Sequence, residues 1–330
     1  MPTEREITEP VRLTRADGRL NPAAVGWSRT PLHDTSGIGR GRVGWGRNKR
    51  WEYWAVCSPE WVVAVVVSDI SYAAVPGVFA LNRLTGEQIS VDGVVPLARG
   101  TELPGSLDDG VAHTRAKGLD VRISPEHSGT RIEARTERIA LDVVAELPAG
   151  HERLGVVVPW SERLFQYTVK DPCRPVSGRV VVDGAGYELP AGESWATLDH
   201  GRGRWPYAVT WQWGSGSGRV DGHVVGLQVG GRWTEGTGST ENALVVDGRL
   251  TKIGAELRWD FDSADWMRPW RVRGQGVNLE FRPEHLRKAV TQLGVLSSKT
   301  HQAFGTWHGS VGDLGVDGLF GWAEDVHQRW

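Results

Sequence analysis

Two Asp-Gly pairs, each between β-rich halves, constrain the fold of this chain more than any other feature. The stretch "RVVVDGAGYELP" contains Asp183-Gly184, and "NALVVDGRLTKIG" contains Asp247-Gly248. A tight hairpin turn requires positive φ values, which glycine adopts without steric cost. Both stretches therefore predict β-hairpins, and "FALNRLTGEQISV" predicts another.

The remaining strand signals are dense, and helical periodicity is scarce. The stretches "GLDVRIS", "TRIEARTE" and "IALDVVAEL" alternate apolar and polar residues between turn residues, which predicts a meander. The best candidate helix, "PEHLRKAVTQ" at residues 283–292, is short. The chain is therefore predicted to be all-β, an antiparallel sandwich or barrel with at most one short helix per domain.

The order of elements repeats along the chain. An aromatic strand, a turn and an apolar strand run through "WEYWAVCSPEWVVAVVVSDISY", and a hairpin follows. The same order holds in "WPYAVTWQWGSGSGRVDGHVVGLQV". We expect two similar β-domains with a boundary near "KDPCRPVSG", residues 170–178, where two prolines punctuate the chain. The expected division is an N-terminal segment (1–50) that packs on the barrels, a first β-domain (51–175) and a second (176–330).

Charge and composition exclude several classes of partner. The 38 basic and 40 acidic residues leave a formal net charge of -2, so neither nucleic acid nor an anionic membrane is an expected partner. The longest apolar run, "WVVAVVV", is far below the about 20 residues of a membrane span, so no stable membrane insertion is expected. Without a signal-peptide pattern or a cysteine framework, the expected location is cytoplasmic. The oligomeric state stays open.

Familiar cofactor and metal motifs are missing from the sequence. The stretch "GRGRVG" at residues 39–44 has the GxGxxG spacing, but no strand precedes it and no helix follows, so it is interpreted as a loop. The ten histidines show no metal-ligand spacing. Neither a cofactor nor a metal is predicted.

The segment "LDHGRGRWPYAVTWQW", residues 198–213, combines charges with aromatic residues. On one continuous strand, Trp205, Tyr207, Trp211 and Trp213 would share a face, a pattern that fits either an ordinary core or a ligand wall. Asp199 precedes them, and burial against indoles raises a carboxyl pKa toward neutrality. Indole faces also stabilise positive charge. We expect Asp199 to protonate an alkene there, with Arg202 in reach of its carboxylate.

The same segment resembles the signature of the family called domain of unknown function 2804. The similarity continues through "NPAAVGWSRTPLHD", "RNKRWEYWAVCSP", "VVVPWSERLFQYTVKDPCRPVSG", "TENALVVDGRLTKI", "HQAFGTWHG" and "GWAEDVHQRW". The motifs are similar in style to a wider group, the carotenoid hydratases, the AttH-like proteins and tocopherol cyclase. That resemblance implies two consecutive lipocalin-like β-domains around an apolar cavity, and cofactor-free hydration, dehydration or cyclisation of isoprenoids. It makes Asp199 the position most like the proton donor.

Two further carboxylates join the predicted site. Glu241 precedes a hairpin strand and is interpreted as a second acid, as a partner of Arg202 or Arg204, or as a strand-entry cap. Glu324 lies near Trp322 and Trp330, where a salt bridge closing the last strand is the alternative. The complete prediction has two catalytic residues, Asp199 and Glu241, and eight that bind substrate: Arg202, Trp205, Tyr207, Trp211, Trp213, Asn242, His301 and Glu324.

The predicted function is a cofactor-independent lyase or isomerase acting on a hydrophobic isoprenoid or polyene-like small molecule. One alternative is a non-catalytic lipid-binding protein in which Asp199 only neutralises an arginine. Another is a carbohydrate-active or carbohydrate-binding β-protein, because tryptophan platforms and paired carboxylates also suit sugars.

Overall fold

The computed structural model describes residues 4–39, 41, 43–293 and 296–329. Arg40 and Arg42 of the predicted "GRGRVG" loop, and Trp330, lie outside the described residues. The chain forms two compact units, Ile7–Trp205 and a second one made of residues 206–329 with 4–6. Each consists of a curled antiparallel half-barrel sheet, and the prediction of two consecutive lipocalin-like all-β domains is confirmed.

The first unit has eighteen strands and a single turn of 3₁₀ helix, Pro22–Ala24, within its described residues. The strands are β1 (Val11–Arg12), β2 (Trp27–Ser28), β3 (His33–Asp34), β4 (Asn48–Cys57), β5 (Trp61–Asp69), β6 (Ala73–Ala74), β7 (Gly77–Asn82), β8 (Gln88–Asp92), β9 (Val95–Pro96), β10 (Thr101–Glu102), β11 (Ala112–Ala116), β12 (Leu119–Glu126), β13 (Gly129–Thr136), β14 (Ile139–Glu146), β15 (Leu154–Val158), β16 (Phe165–Val182), β17 (Ala185–Glu188) and β18 (Trp195–Arg204).

Sixteen of these strands form one sheet, whose main path is β10-β11-β12-β13-β14-β16-β18-β4-β5-β6-β9. Strand β16 bends at a bulge between Asp171 and Arg174, where Cys173 has a φ of 57°. Its first half pairs with β15 and β18, and its second half pairs with β14 and β17. The inner face carries the main core, which includes Trp54, Val65 and Leu198.

The second unit has ten strands: β19 (Ala208–Val220), β20 (His223–Gly231), β21 (Asn242–Val246), β22 (Arg249–Ile253), β23 (Arg258–Asp260), β24 (Trp270–Gly274), β25 (Val277–Leu293), β26 (Leu296–Val311), β27 (Leu314–Gly315) and β28 (Leu319–Arg329). They form one sheet in the order β22-β21-β20-β19-β28-β26-β25-β24-β23, with β27 on β26. Its core includes Trp270, Phe281 and Trp307. The Trp307 ring crosses Gly214 and Gly216, where a Cβ would collide with it.

The predicted hairpins and meander are confirmed. Asp183-Gly184 joins β16 to β17, and Asp247-Gly248 joins β21 to β22, all four residues with positive φ. Strands β7 and β8 form the third hairpin, and β12, β13 and β14 form the meander. The repeated order is also present, since β4-β5-β7-β8 and β19-β20-β21-β22 are successive antiparallel neighbours.

The predicted helix at residues 283–292 is wrong. These residues lie in the long strand β25, which pairs with β26 from Val277 to Leu293 across one register shift after Pro283. An isolated helix of ten residues is marginal, whereas the neighbouring strand binds the backbone polar groups of the segment directly.

The chain also divides at a different place from the predicted one. Residues 170–178 lie inside β16, so the two prolines there do not end a domain. The division falls between Trp205 and Pro206. Proline has no N–H for a sheet ladder, and β18 ends at Arg204 while β19 begins at Ala208. Trp205 and Trp213 are therefore not on one strand. In the described part of the chain, no helix is long and apolar enough to cross a membrane.

Candidate functional site

Asp199 lies on β18 and forms an ion pair with the neighbouring strand β16. Its Oδ1 is 2.9 Å from Lys170 Nζ and accepts a hydrogen bond from Thr168 Oγ1 at 3.2 Å. The Lys170 side chain is only 4% exposed and the Asp199 side chain 13%, so the pair is largely dry but reaches the surface through its carboxylate. Such a pair combines a proton donor with a proton acceptor.

Aromatic residues lie on the same face of the sheet as this pair. Tyr53 is directly opposite Asp199 on β4, and Trp51 is opposite Gly201; both aromatic residues are half-buried. Trp205 meets Trp51 edge to face, with ring centroids 5.3 Å apart. We call Trp51, Tyr53, Lys170, Asp199 and Trp205 the Asp199 face.

Trp205 is buried within the Asp199 face. It is 4% exposed, and its Nε1 donates to Gln166 Oε1 at 2.6 Å. A second edge-to-face contact, 6.1 Å between centroids, joins it to Trp160. The indole therefore contacts three partners, Gln166, Trp51 and Trp160, and is a packed residue.

Arg202 lies on the opposite face of β18, because residues three apart on a strand alternate sides. Its Nη2 donates to Glu52 Oε1 at 3.2 Å and its Nη1 to the Trp51 carbonyl at 2.8 Å. The expected Asp199–Arg202 pair is wrong, and Glu52 takes the place of Asp199 as the partner of this arginine.

His200 and Tyr167 accompany Arg202 and Glu52 on that inner face, and we call the four residues the inner polar cluster. Glu52 Oε1 is 3.6 Å from His200 Nδ1, longer than a hydrogen bond. Among the described residues, neither ring nitrogen of His200 nor the Tyr167 hydroxyl has a hydrogen-bond partner. The inner polar cluster therefore contains buried groups with unused bonding capacity.

Burial sets the protonation of the inner polar cluster. Desolvation, helped by the charge of Arg202, lowers the pKa of His200 to about 4. Desolvation also lowers the pKa of Arg202 to about 10 and raises the pKa of Tyr167 above its usual range. Burial alone would raise the pKa of Glu52, but His200 and Arg202 outweigh it and hold that pKa below its ordinary value. At neutral pH the cluster contains one cation, one anion and two neutral groups.

The second unit has a carboxylate among indoles of its own. Glu324 on β28 accepts a hydrogen bond from Trp211 Nε1 at 2.9 Å and another from Gln302 Nε2 at 3.1 Å. Trp213 lies directly opposite Glu324 and donates its Nε1 to Gln228 at 2.8 Å. We call Trp211, Trp213, Gln302 and Glu324 the Glu324 face. Both of these hydrogen bonds to Glu324 come from neutral donors.

Asn242 begins strand β21, and Glu241 directly precedes it. Glu241 is buried, and its Oε2 accepts from Trp233 Nε1 at 2.9 Å. The rings of Trp233 and Trp211 are 6.3 Å apart, which brings Glu241 toward the Glu324 face. Asn242 bridges two backbone groups, accepting from Gly230 N and donating to the Ala255 carbonyl, so it fixes the strand entry.

Two predicted residues of the second unit lie away from the Glu324 face. His301 is opposite Asp325 on β28, hence on the other side of the sheet from Glu324. Its ring stacks on Trp266 with centroids 4.2 Å apart, and burial followed by the charge of Lys288 lowers its pKa. Tyr207 is 42% exposed, and its ring is 5.4 Å from the Arg329 guanidinium carbon.

Sequence reasoning missed the partners that complete each carboxylate site. Lys170 and Thr168 reach Asp199 only through the β16–β18 pairing, and Trp51 through the β18–β4 pairing. Gln302 and Trp233 complete the acids of the second unit. Trp51 lies in the family motif "RNKRWEYWAVCSP". The residues around Lys170 in "VKDPC", however, do not indicate that this lysine faces Asp199.

The family described as "Domain of unknown function (DUF2804)" matches residues 4–330 of the chain. No curated protein matches the sequence. Solved structures share the fold. Kievitone hydratase from Nectria haematococca is 13% identical with a TM-score of 0.54, over 86% of this chain and 89% of that one.

Two further structures are similar to the same extent. An AttH-like protein from Nitrosomonas europaea is 12% identical with a TM-score of 0.52, over 85% of this chain and 92% of that one. CghA is 12% identical with a TM-score of 0.55, over 86% and 88% of the two chains. At such identities the likeness shows a common fold.

Proposed function

The chain belongs to the DUF2804 family, and from that premise we propose that it is a cofactor-independent lyase or isomerase acting on a hydrophobic, polyene-like small molecule. The reaction is a hydration, a dehydration or a cyclisation. The observation that carries the proposal is the Asp199–Lys170 ion pair, 2.9 Å long and nearly dry, set among aromatic rings. Kievitone hydratase, a protein of the same fold, bears the name of such an activity.

The ion pair can both donate a proton to a substrate and accept one from water. In a hydration, the proton donor that we propose is the Lys170 ammonium, in place of Asp199 as expected from the sequence, and it donates to one carbon of the double bond. Asp199 then accepts a proton from the water whose oxygen bonds to the other carbon. Transfer of that proton from Asp199 to Lys170 restores the pair. An apolar substrate that covers the Asp199 face excludes the remaining water from the ion pair, which prevents loss of the proton to solvent.

The aromatic rings supply the second requirement of this chemistry. Protonation of an alkene leaves a carbocation, and the faces of indole rings attract positive charge. Trp51 and Tyr53 are half-buried beside Asp199 and have surface left for a ligand, whereas Trp205 is enclosed. We therefore assign the cation-stabilising role to Trp51 and Tyr53, and a supporting role to Trp205.

The Glu324 face is proposed as a binding surface. Trp211 is half-buried, and its indole N–H is fixed by Glu324, so its ring orientation is set in advance of any ligand. Because Glu324 and Glu241 each accept from an indole, we propose that they position the tryptophans. This replaces the expected catalytic role of Glu241.

The test is a mass-resolved screen of extracted polyenes and prenylated phenolics. In a hydration or a dehydration, the wild-type protein is expected to change the mass of one substrate by that of a water molecule. In a cyclisation, it is expected to change the retention time of the substrate at constant mass. Asp199→Asn is expected to keep ligand affinity and to lose turnover by at least about a hundredfold, the usual contribution of a general acid or base. Glu188→Gln, at an exposed strand end, is the matched control.

Each of three results would contradict this proposal or favour one of the alternative functions. Unchanged turnover in Asp199→Asn would remove the ion pair from the mechanism. A co-purified lipid seen by native mass spectrometry, bound equally by wild type and Asp199→Asn and never converted, would identify a carrier. A bound glycan would favour the carbohydrate alternative.

A further inference from the structure

An open cavity lies at the surface of the first unit, at the end of β18. Its volume is about 680 Å³, within the size range of small-molecule sites. Four guanidinium groups and one carboxylate line it: Arg19, Arg47, Arg163, Arg204 and Asp17. None of the residues of the Asp199 face belongs to this lining. Asp17 and the adjacent Glu162 form ion pairs with Arg19 and Arg163, so the net positive charge of the cavity comes from Arg47 and Arg204.

Arg204 is the most buried of the four arginines, at 8% exposed. Its Nε donates to Asn48 Oδ1 at 3.2 Å and its Nη1 to the Gly18 carbonyl at 2.9 Å. Asn48 is itself fixed, because its Nδ2 donates to the carbonyls of Gly39 and Val43. The guanidinium is therefore held in one orientation by neutral acceptors.

The third nitrogen of this guanidinium is unused. Arg204 Nη2 is buried and, within the described part of the chain, has no hydrogen-bond partner. No carboxylate of the described residues lies within ion-pair distance of Arg204 or Arg47, whereas Arg19 is paired with Glu162 at 3.1 Å. Burial of an unpaired cation is costly unless an anion completes it, and the desolvated environment already lowers the pKa of Arg204.

We infer that this cavity is a binding site for a small-molecule oxyanion, a phosphate or carboxylate group that bonds to Arg204 and Arg47. Guanidinium forks match the geometry of both groups and form charge-assisted hydrogen bonds with them. The cavity has room for an organic molecule that carries the oxyanion. This site is independent of the proposed lyase or isomerase activity.

The experiment is calorimetric titration of the full chain at constant ionic strength, with inorganic pyrophosphate in one arm and citrate in the other. We expect saturable binding of one equivalent in at least one arm, and the tighter arm identifies the phosphate or carboxylate class. Arg204→Gln is expected to weaken that binding by about tenfold or more, since it removes a charge-assisted hydrogen bond.

Two further variants make the outcome decisive. Arg47→Gln changes an exposed side chain and is also expected to weaken binding, so it decides the question if Arg204→Gln does not fold. Arg131→Gln removes the same charge from an exposed pair with Asp142 and is expected to bind like wild type. No saturable binding in either arm, or equal binding by wild type, Arg47→Gln and Arg204→Gln, would overturn the assignment.

Discussion

Asp199 and Arg202 lie on opposite faces of the same strand, and each is paired with a different neighbour. Asp199 is 2.9 Å from Lys170 on the outer, aromatic face, and Arg202 is 3.2 Å from Glu52 on the inner face. One short sequence motif thus contributes to two separate charge clusters. The outer one is proposed to transfer protons, and the hydrogen bonds of the inner one join β4 to β18.

Breaking the outer pair from the lysine side is expected to destabilise the first unit. Lys170→Met leaves Asp199 without its ammonium partner in a nearly dry site, and removal of one member of a buried pair costs about 3–5 kcal/mol. The double variant Lys170→Met/Asp199→Leu is expected to recover most of this loss. Urea denaturation followed by tryptophan fluorescence measures both, and an additive double variant would contradict the pairing.

Trp205→Ala and Tyr207→Ala are expected to differ strongly in their effect on the free energy of unfolding, although the two residues are only two positions apart in the sequence. Trp205 is enclosed and hydrogen-bonded to Gln166, so its truncation is expected to cost about 3–5 kcal/mol of unfolding free energy. Tyr207 is exposed, and its truncation should stay within about 0.5 kcal/mol. Thermal unfolding of the two variants checks this, and a stable Trp205→Ala protein would instead favour a ligand wall.

Gly201→Ala is expected to destabilise the protein because Trp51 lies across that glycine. An added Cβ would overlap the indole ring, and overpacking costs about 1–3 kcal/mol. Gly315→Ala is the control, since the space beside Gly315 is open and its backbone is ordinary. A melting temperature for Gly201→Ala equal to that of the control would show that Trp51 moves aside freely.

Stability is expected to fall as the pH drops from 6.5 toward 4, with His200 as one cause. Its folded-state pKa is about 4, below the ordinary 6.5, so the unfolded chain takes up the proton first. The stabilisation is complete above pH 6.5 and is lost as the pH falls. Below pH 6.5 the loss is roughly 1.4 kcal/mol per pH unit, which gives about 2 kcal/mol between pH 7 and 5. His33, with a pKa also lowered to about 4 by burial, adds a similar loss.

The His200 contribution can be isolated by substitution. His200→Gln is expected to lose about 2 kcal/mol less than wild type between pH 7 and 5 in urea denaturation. His127→Gln, at an exposed position, should follow the wild-type curve. Parallel curves for wild type and His200→Gln would show that His200 is not buried in its neutral form.

Much of the fold followed from local chemistry in the sequence. The Asp-Gly pairs specify hairpins because both residues tolerate positive φ, and both hairpins occur where the pairs stand. Alternation in "TRIEARTE" and its neighbours predicts the meander because a strand places successive side chains on opposite faces. The family resemblance extended this to two lipocalin-like domains.

The candidate site depended on pairings between strands that are distant in sequence. Lys170 meets Asp199, Trp51 crosses Gly201, and Glu52 binds Arg202 only because β16 and β4 flank β18 in a fixed register. The helix expected at residues 283–292 failed for the same reason, since β26 captures that segment as a strand. Turn chemistry is written within a few residues, but the partner of a buried charge is set by register, which only the assembled sheet determines.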